Sequence, residues 1–208
     1  MSVKLLRGDC LELLRDIPGG SVDCVIADLP FGVTQNRWDN VIPLPPLWEW
    51  LRRVTKENAA ILFFSQMPFA AELVMSNRKM FRYEWIWRKS NKTGFLNAKK
   101  MPLKEHENIL VFYHKTPTYN PQMVKGERHI RQTRGKTTNY GKYHNTEPQY
   151  TDEYYPGDII SFPCIFHTSE KQQHPTQKPV PLLEYLYART PTPAKPCLTR
   201  QWAVAVPE

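Results

Sequence analysis

Apolar and polar positions along this chain fall into two kinds of block. Residues 22–27 (VDCVIA) and 59–64 (AAILFF) are short, nearly unbroken apolar runs bounded by turn-forming residues. Runs of that length predict strands covered on both faces, as in a parallel sheet. Between them, residues 47–56 place Leu47, Leu51 and Val54 on one face of a helix. Residues 35–46 are polar, then rich in proline, and read as a loop. Before residue 22 the pattern predicts a strand at 3–6 and a short helix at 10–16, stopped by Ile17-Pro18-Gly19-Gly20. After residue 64 it predicts a helix at 69–75, aromatic-rich strands at 81–87 and 108–113, a strand at 157–162, and a helix at 180–187 with proline near its first turn. Strand and helix alternate up to residue 75 and strands then follow one another, which predicts an α/β fold with a mixed sheet. No internal repeat is present.

Composition narrows the class. With 208 residues and 41% apolar content the chain can bury a core, which excludes wholesale disorder. Nineteen prolines predict many loops between short elements. The four cysteines, at 10, 24, 164 and 197, form no CxxC pair, so buried free thiols in a reducing cytoplasm are expected rather than a zinc site or disulfide framework. No run reaches the length of a membrane span, and the first residues lack the pattern of a signal peptide. The net charge of +8 favours an anionic partner such as nucleic acid. Residues 114–150 hold seven of the lysines and arginines against two acids, a net of +5, with Tyr119, Tyr140, Tyr143 and Tyr150 interleaved and few aliphatic residues. Such a segment cannot bury a core of its own. It reads as a nucleic-acid-binding stretch or as a solvated insertion.

The sharpest local signal is Asp28-Leu29-Pro30-Phe31, at the carboxyl end of the first buried run. Open α/β sheets bind ligands at that end of their strands. A carboxylate and a backbone carbonyl can both accept from an exocyclic amino group, proline stiffens the turn that aims them, and Phe31 offers a face for a planar base. The same four residues also suit an ordinary strand-to-loop turn. Weaker candidates are His106 and Glu107, read as structural; Ser65-Gln66, as a loop cap or part of a cleft; and Trp48, Trp50, Trp85 and Trp87, as core and rim aromatics.

Residues 28–31 resemble a variant of the Asp-Pro-Pro-Tyr motif of amino-group DNA methyltransferases, with Leu29 for the first proline and Phe31 for tyrosine. His174-Pro175-Thr176-Gln177-Lys178-Pro179 resembles a second segment of that family, and Gly8-Asp9-Cys10 its acidic loop. The order is that of the subclass whose catalytic motif precedes its glycine-rich cofactor motif, and the resemblance covers residues 3–189. It implies a Rossmann-like methyltransferase fold and transfer of a methyl group from S-adenosylmethionine to adenine N6 in double-stranded DNA, without a metal. It assigns Asp28, Leu29, Pro30 and Phe31 to catalysis, and Asp9, Cys10, His174, Thr176, Gln177 and Lys178 to the cofactor. Lys125, Arg128, Arg131, Arg134, Lys136 and Lys142 fall to DNA. It divides the chain into a catalytic part (1–113), a basic target-recognition segment (114–156), a return to the methyltransferase domain (157–189) and an irregular tail (190–208). A cytoplasmic protein, bacterial or phage-encoded, with no membrane partner, is implied. Asp at the motif's first position favours adenine over cytosine N4.

One family feature is missing. The Phe/Met-x-Gly-x-Gly loop expected after the 180–187 helix has no counterpart, since the last glycine is Gly157. Residues 190–208 carry no pattern long enough for a strand, so the sheet is expected to be incomplete at its C-terminal side, with Asp28 close to an unpaired edge. A coding sequence for Met-Gly-Ser-Gly-Ser read one base late gives Trp-Ala-Val-Ala-Val, which is residues 202–206. A frameshift near Thr190, impairing the cofactor site, is therefore expected. The rival reading is a non-catalytic DNA-binding remnant.

Overall fold

The computed structural model describes residues 6–34, 36, 39–132, 146–165 and 177–189, and the backbone of 197–201. The strands are β1 (Val22–Asp28), β2 (Thr55–Ser65), β3 (Phe81–Thr93), β4 (Lys104–Phe112), β5 (Val124–Arg131), β6 (Gln149–Tyr154), β7 (Ile159–Phe162) and β8 (Cys197–Gln201). The helices are α1 (Cys10–Leu13), continued by a 3-10 turn, α2 (Leu44–Val54), α3 (Phe69–Ser76) and α4 (Val180–Arg189). Two compact units result, Met1–Asn120 with Asp158–Glu208, and Pro121–Gly157.

In the larger unit six strands form one sheet in the order β7-β3-β4-β2-β1-β8. β1 is parallel to β2 and to β8, β3 is parallel to β7, and β4 runs antiparallel to β2 and β3. Five strands therefore share a direction and end at one edge of the sheet, where β4 begins. Alternation along the strands sorts the core into two faces. Val25, Ala27, Ile61, Phe63 and Phe112 pack with Leu47, Trp48 and Leu51 of α2 and Phe69 and Leu73 of α3. Cys24, Ile26, Leu62, Phe64 and Val111 pack with Leu182 and Leu186 of α4. Trp48 Nε1 donates to Ser76 Oγ at 2.8 Å and so ties α2 to the end of α3. Trp48, Trp85 and Trp87 are buried core residues, as read from the sequence. Among the described residues Cys10, Cys24 and Cys164 form no disulfide; the first two are buried and the third is half-buried. Among the described residues no helix is long and apolar enough to cross a membrane.

Three differences from the sequence reading have physical causes. Helix α2 begins at Leu44, three residues early, because Pro45 and Pro46 fall in its first turn, where no intrahelical N–H bond is lost. Residues 114–150, where the pattern predicts no element, contain β5 and the start of β6. β5 and β6 pair antiparallel, and among the described residues of the small unit they form, no hydrophobic residue is buried; backbone bonds and ring contacts join the two strands. Finally, residues 197–201 do enter the sheet, pairing parallel with β1 from Cys24↔Cys197 to Asp28↔Gln201. A ladder needs backbone donors and acceptors and no side-chain period, so the residue pattern carries no trace of it. Asp28 consequently does not lie at an unpaired edge. Of the strand expected at 3–6, residues 3–5 lie outside the described residues and Leu6 is in no strand; the tail beyond residue 201 also lies outside them.

Candidate active site

Asp28 is the last residue of β1, paired on one side with Phe64 of β2 and on the other with Gln201 of β8. The chain passes from β1 to β2 on one side and reaches β8 on the other only much later. Asp28 thus stands at a switch point of the sheet, the place at which open α/β sheets bind their ligands.

The turn that follows is locked from within. Phe31 N and Gly32 N donate to Asp39 Oδ1 at 2.8 and 2.9 Å, and Val33 N and Thr34 N donate to Asp39 Oδ2 at 2.9 and 2.7 Å. Asp39 is 6% exposed. Burial raises its carboxyl pKa, but the N–H groups of Gly32, Thr34 and Phe31 and the Thr34 side chain outweigh that and hold it below the ordinary value. Gly32 has φ +67, and a Cβ there would meet Val41 at 2.8 Å, so the turn requires glycine. Leu29 is buried. The Phe31 ring is half-buried and stacks on Phe69 at 5.7 Å between centroids.

Behind Asp28 runs a chain of alternating charge. Lys178 Nζ donates to Asp28 Oδ2 at 2.8 Å and meets Glu107 Oε2 at 3.3 Å. Glu107 Oε1 in turn accepts from Lys89 at 3.1 Å. Lys178 is buried, at 6% exposure, with its ammonium 5.0 Å from the centre of the Phe64 ring. Burial opposes both charges, yet the neighbours win. Asp28 and then Glu107 push the Lys178 pKa up, and Lys178 and then Lys89 hold the Glu107 carboxyl below its usual range. The topology explains the meeting. Asp28 and Lys89 lie toward the carboxyl ends of parallel strands and Glu107 near the start of the antiparallel β4, so all three reach the same edge. Pro179 then opens α4, with Leu182 N and Leu183 N bonding to its carbonyl, and places Lys178 over that edge.

Of the residues singled out in the sequence, Asp28, Leu29, Pro30, Phe31 and Lys178 come together. Gln177 is half-buried beside Lys178. Asp9 caps α1, its Oδ1 accepting from Leu11 N at 2.7 Å, and Cys10 is buried. His174, Thr176, Arg134, Lys136 and Lys142 lie outside the described residues. Lys125, Arg128 and Arg131 stand on β5, with Arg128 5.1 Å over the Tyr150 ring and Arg131 4.9 Å over Tyr155. Ser65 is buried, with its hydroxyl 3.5 Å from the Asn108 carbonyl, and Gln66 accepts from Lys104 at 2.8 Å. Asp39 is not singled out by the sequence, because a lone acid in a polar loop carries no local signal. Glu107 reads as structural there, because its partners are 18 and 71 positions away in the chain.

Comparison with known proteins places this geometry in a family. The DNA methylase family of N6/N4 type matches residues 22–187. The chain is 27% identical over 207 residues to the DNA adenine methyltransferase YhdJ of Escherichia coli K12, covering 91% of this chain and 67% of that protein. It is 26% identical over 223 residues to the type II methyltransferase M.BglII of Bacillus subtilis, covering 91% of this chain and 57% of the relative. The chain thus spans between about half and two thirds of the length of these relatives. The crystal structure of the M1.HpyAVI–SAM complex superposes with a TM-score of 0.57 at 17% identity, over 94% of this chain and 81% of that one, and shares its fold. The protein belongs to the N6/N4 DNA methylase family.

Proposed function

We propose that this chain methylates an exocyclic amine of a DNA base, adenine N6, in duplex DNA, with S-adenosylmethionine as donor. The observation that carries this reading is Asp28 at the switch point of the sheet, followed by a turn that Asp39 makes rigid, in a chain of this family. The donor supplies an electrophilic methyl group. In the transfer an N–C bond forms, the S–C bond breaks and the amine gives up one proton. The amine lone pair is delocalised into the base. Hydrogen bonds accepted by the Asp28 carboxylate and the Leu29 carbonyl draw the nitrogen toward tetrahedral geometry and stabilise its developing positive charge. Phe31 stacks on the extruded base, offsetting part of the cost of unstacking. Similarity to an adenine methyltransferase and the acid at position 28 favour adenine over cytosine.

Lys178 takes a different role from the cofactor contact that the motif suggests. Its ammonium is engaged by Asp28 and Glu107. It acts as a positioning residue that holds the Asp28 carboxylate in place. Lys178→Met should lower kcat by about 10²-fold with little change in donor affinity, and Lys178→Arg should recover part of that loss. A Lys178→Met variant that loses donor affinity and keeps kcat would return the residue to the cofactor.

The donor site fits in part. Asp9 caps α1, and the carboxyl end of β1 lies between β2 and β8, the end of the strands at which open sheets of this kind take a ligand. The backbone approach does not fit as well. Among the described residues the positive-φ glycines are Gly8, Gly20, Gly32 and Gly94, and none lies on β8. Donor binding weaker than that of relatives with a glycine loop is therefore expected. The deciding experiment combines calorimetry with S-adenosylmethionine and mass spectrometry of nucleosides from treated plasmid. N6-methyladenine carries the reading and N4-methylcytosine moves it to the other amine. DNA binding with neither product nor donor binding leaves the non-catalytic reading.

Residues 114–156 serve target recognition in this proposal, with Lys125, Arg128 and Arg131, and in the undescribed stretch Arg134, Lys136 and Lys142, facing DNA. A two-stranded ribbon such as β5–β6 is of a size that the major groove admits. Replacing Arg128, Arg131 and Arg134 by alanine together should weaken duplex binding. It should also flatten the salt dependence by roughly 0.9 in log–log slope for each phosphate that these side chains no longer neutralise. An unchanged slope would remove these side chains from the phosphates.

A further inference from the structure

The hairpin of β3 and β4 runs far past the level of the site. Asp28 pairs with Phe64, Phe64 with Ile109, and Ile109 with Trp85. Beyond that level β3 continues from Ile86 to Thr93 and β4 from Asn108 back to Lys104, with a register irregularity between Arg88 and Thr93, so the five residues of β4 set the reach at roughly 17 Å. Thr93 pairs with Lys104, and its hydroxyl bonds to the Lys104 carbonyl at 3.3 Å, closing a loop of residues 94–103. That loop is built from consecutive turns. Gly94 enters it at φ +86, Asn97 N bonds to Gly94 O, Ala98 N to Phe95 O, and Lys100 N and Met101 N to Asn97 O, all at 2.8 to 3.1 Å.

The loop's apolar residues are turned outward. Phe95 is 77% exposed, Leu96 84% and Met101 57%. None of the three belongs to either core cluster. Large side chains exposed together on an ordered turn mark an interaction site. Charge indicates the partner, since the loop itself carries the exposed Lys99 and Lys100 and no acid, while at its base Lys92 pairs with Glu105 at 3.6 Å and Lys104 donates to Gln66 at 2.8 Å. An apolar tip flanked by two lysines suits a polyanion with an apolar interior, and a stacked duplex has that chemistry. The tip also extends from the same sheet edge as Asp28, where β3 ends and β4 begins.

We infer that the 94–103 loop is a wedge whose Phe95 and Leu96 insert into the base stack of duplex DNA while Lys99 and Lys100 hold the flanking phosphates. The inference rests on the DNA-methylase reading for its partner. Apolar wedges between base steps unstack and kink a duplex, and extrusion of a base leaves a gap that such a side chain can fill.

The test uses the full chain and Phe95→Ala/Leu96→Ala, a pair of exposed positions outside the core. Relaxed plasmid is closed by topoisomerase in the presence of each protein, and the change in linking number is read on a gel. This readout needs neither methyl transfer nor a known recognition sequence. Wild-type protein should shift the linking number. The double variant should lose most of that shift while its filter-binding affinity stays within about three-fold, because phosphate contacts supply most of the affinity. In parallel, methyl transfer to the same DNA, duplex or heat-denatured, should fall at least about ten-fold on the duplex and little on single strands, where no stack must open. No shift by the wild type, an equal shift by the variant, or a wild-type dimer that the variant converts to a monomer would each overturn the wedge. Absence of methyl transfer to either DNA by the wild type, with the linking-number shift present, would instead overturn the enzymatic reading and leave the wedge standing.

Discussion

Asp28→Ala is expected to lower methyl transfer by at least about 10²-fold while duplex binding stays near the wild-type value. The carboxylate is the acceptor proposed to meet the amine as positive charge develops, and loss of one such group from a dry site costs on that order. Duplex affinity rests on the lysines and arginines of other segments and should not follow. Asp28→Asn should fall between wild type and alanine, because it keeps an acceptor oxygen and loses the charge. The Lys178 ammonium also enters the outcome. Without Asp28 it keeps Glu107 at 3.3 Å, so the buried cation retains a counter-charge and the fold should survive. Single-turnover kinetics with labelled donor, beside a thermal melt, separates the two effects. Activity within a few-fold of wild type in Asp28→Ala would take the catalytic role from this residue.

Asp39→Ala should have the second largest effect, first on stability. One buried carboxylate accepts from four consecutive backbone N–H groups. Its removal leaves four donors without that partner, a cost of about 3 kcal/mol once water has taken up some of them. The loss should appear in urea unfolding as a lower midpoint with an unchanged slope. Faster amide exchange is expected at Phe31, Gly32, Val33 and Thr34. The pH dependence follows from the direction of the shift. The folded-state pKa of Asp39 is depressed, so its stabilisation is full above the unfolded value and is lost as pH falls through the folded one. Wild type and variant should therefore converge in stability under acid conditions. Equal stability of the two at neutral pH would mean that the turn is held by something else.

Much of this architecture is legible in the residues themselves. The runs at 22–27 and 59–64 read as strands covered on both faces, and they form two adjacent inner strands of the sheet. The stripe of Leu47, Leu51 and Val54 and the helix read at 69–75 form the helices over one face. The tetrapeptide at 28–31 lies where a strand has to end, which is why a site can be placed before any fold is known. These features are local, since period, run length and turn residues act over a few positions.

What stays hidden in the sequence is what distant parts of the chain do to one another. Glu107 carries no local mark, and only the antiparallel course of β4 brings it to Lys178 and Lys89. The motif around Lys178 points to the cofactor, whereas its neighbours in the fold are two carboxylates. Asp39 is one acid in a polar loop until the turn at 31–34 folds back onto it. Residues 197–201 give no strand signal, because a parallel ladder is formed by backbone groups that every residue except proline carries in full. Sequence by itself determined the elements of the larger sheet other than β8, the family motifs and the position of the candidate acid. Tertiary structure alone decided which charges face that acid, because ion pairing depends on separation in space and the sheet's strand order sets those separations.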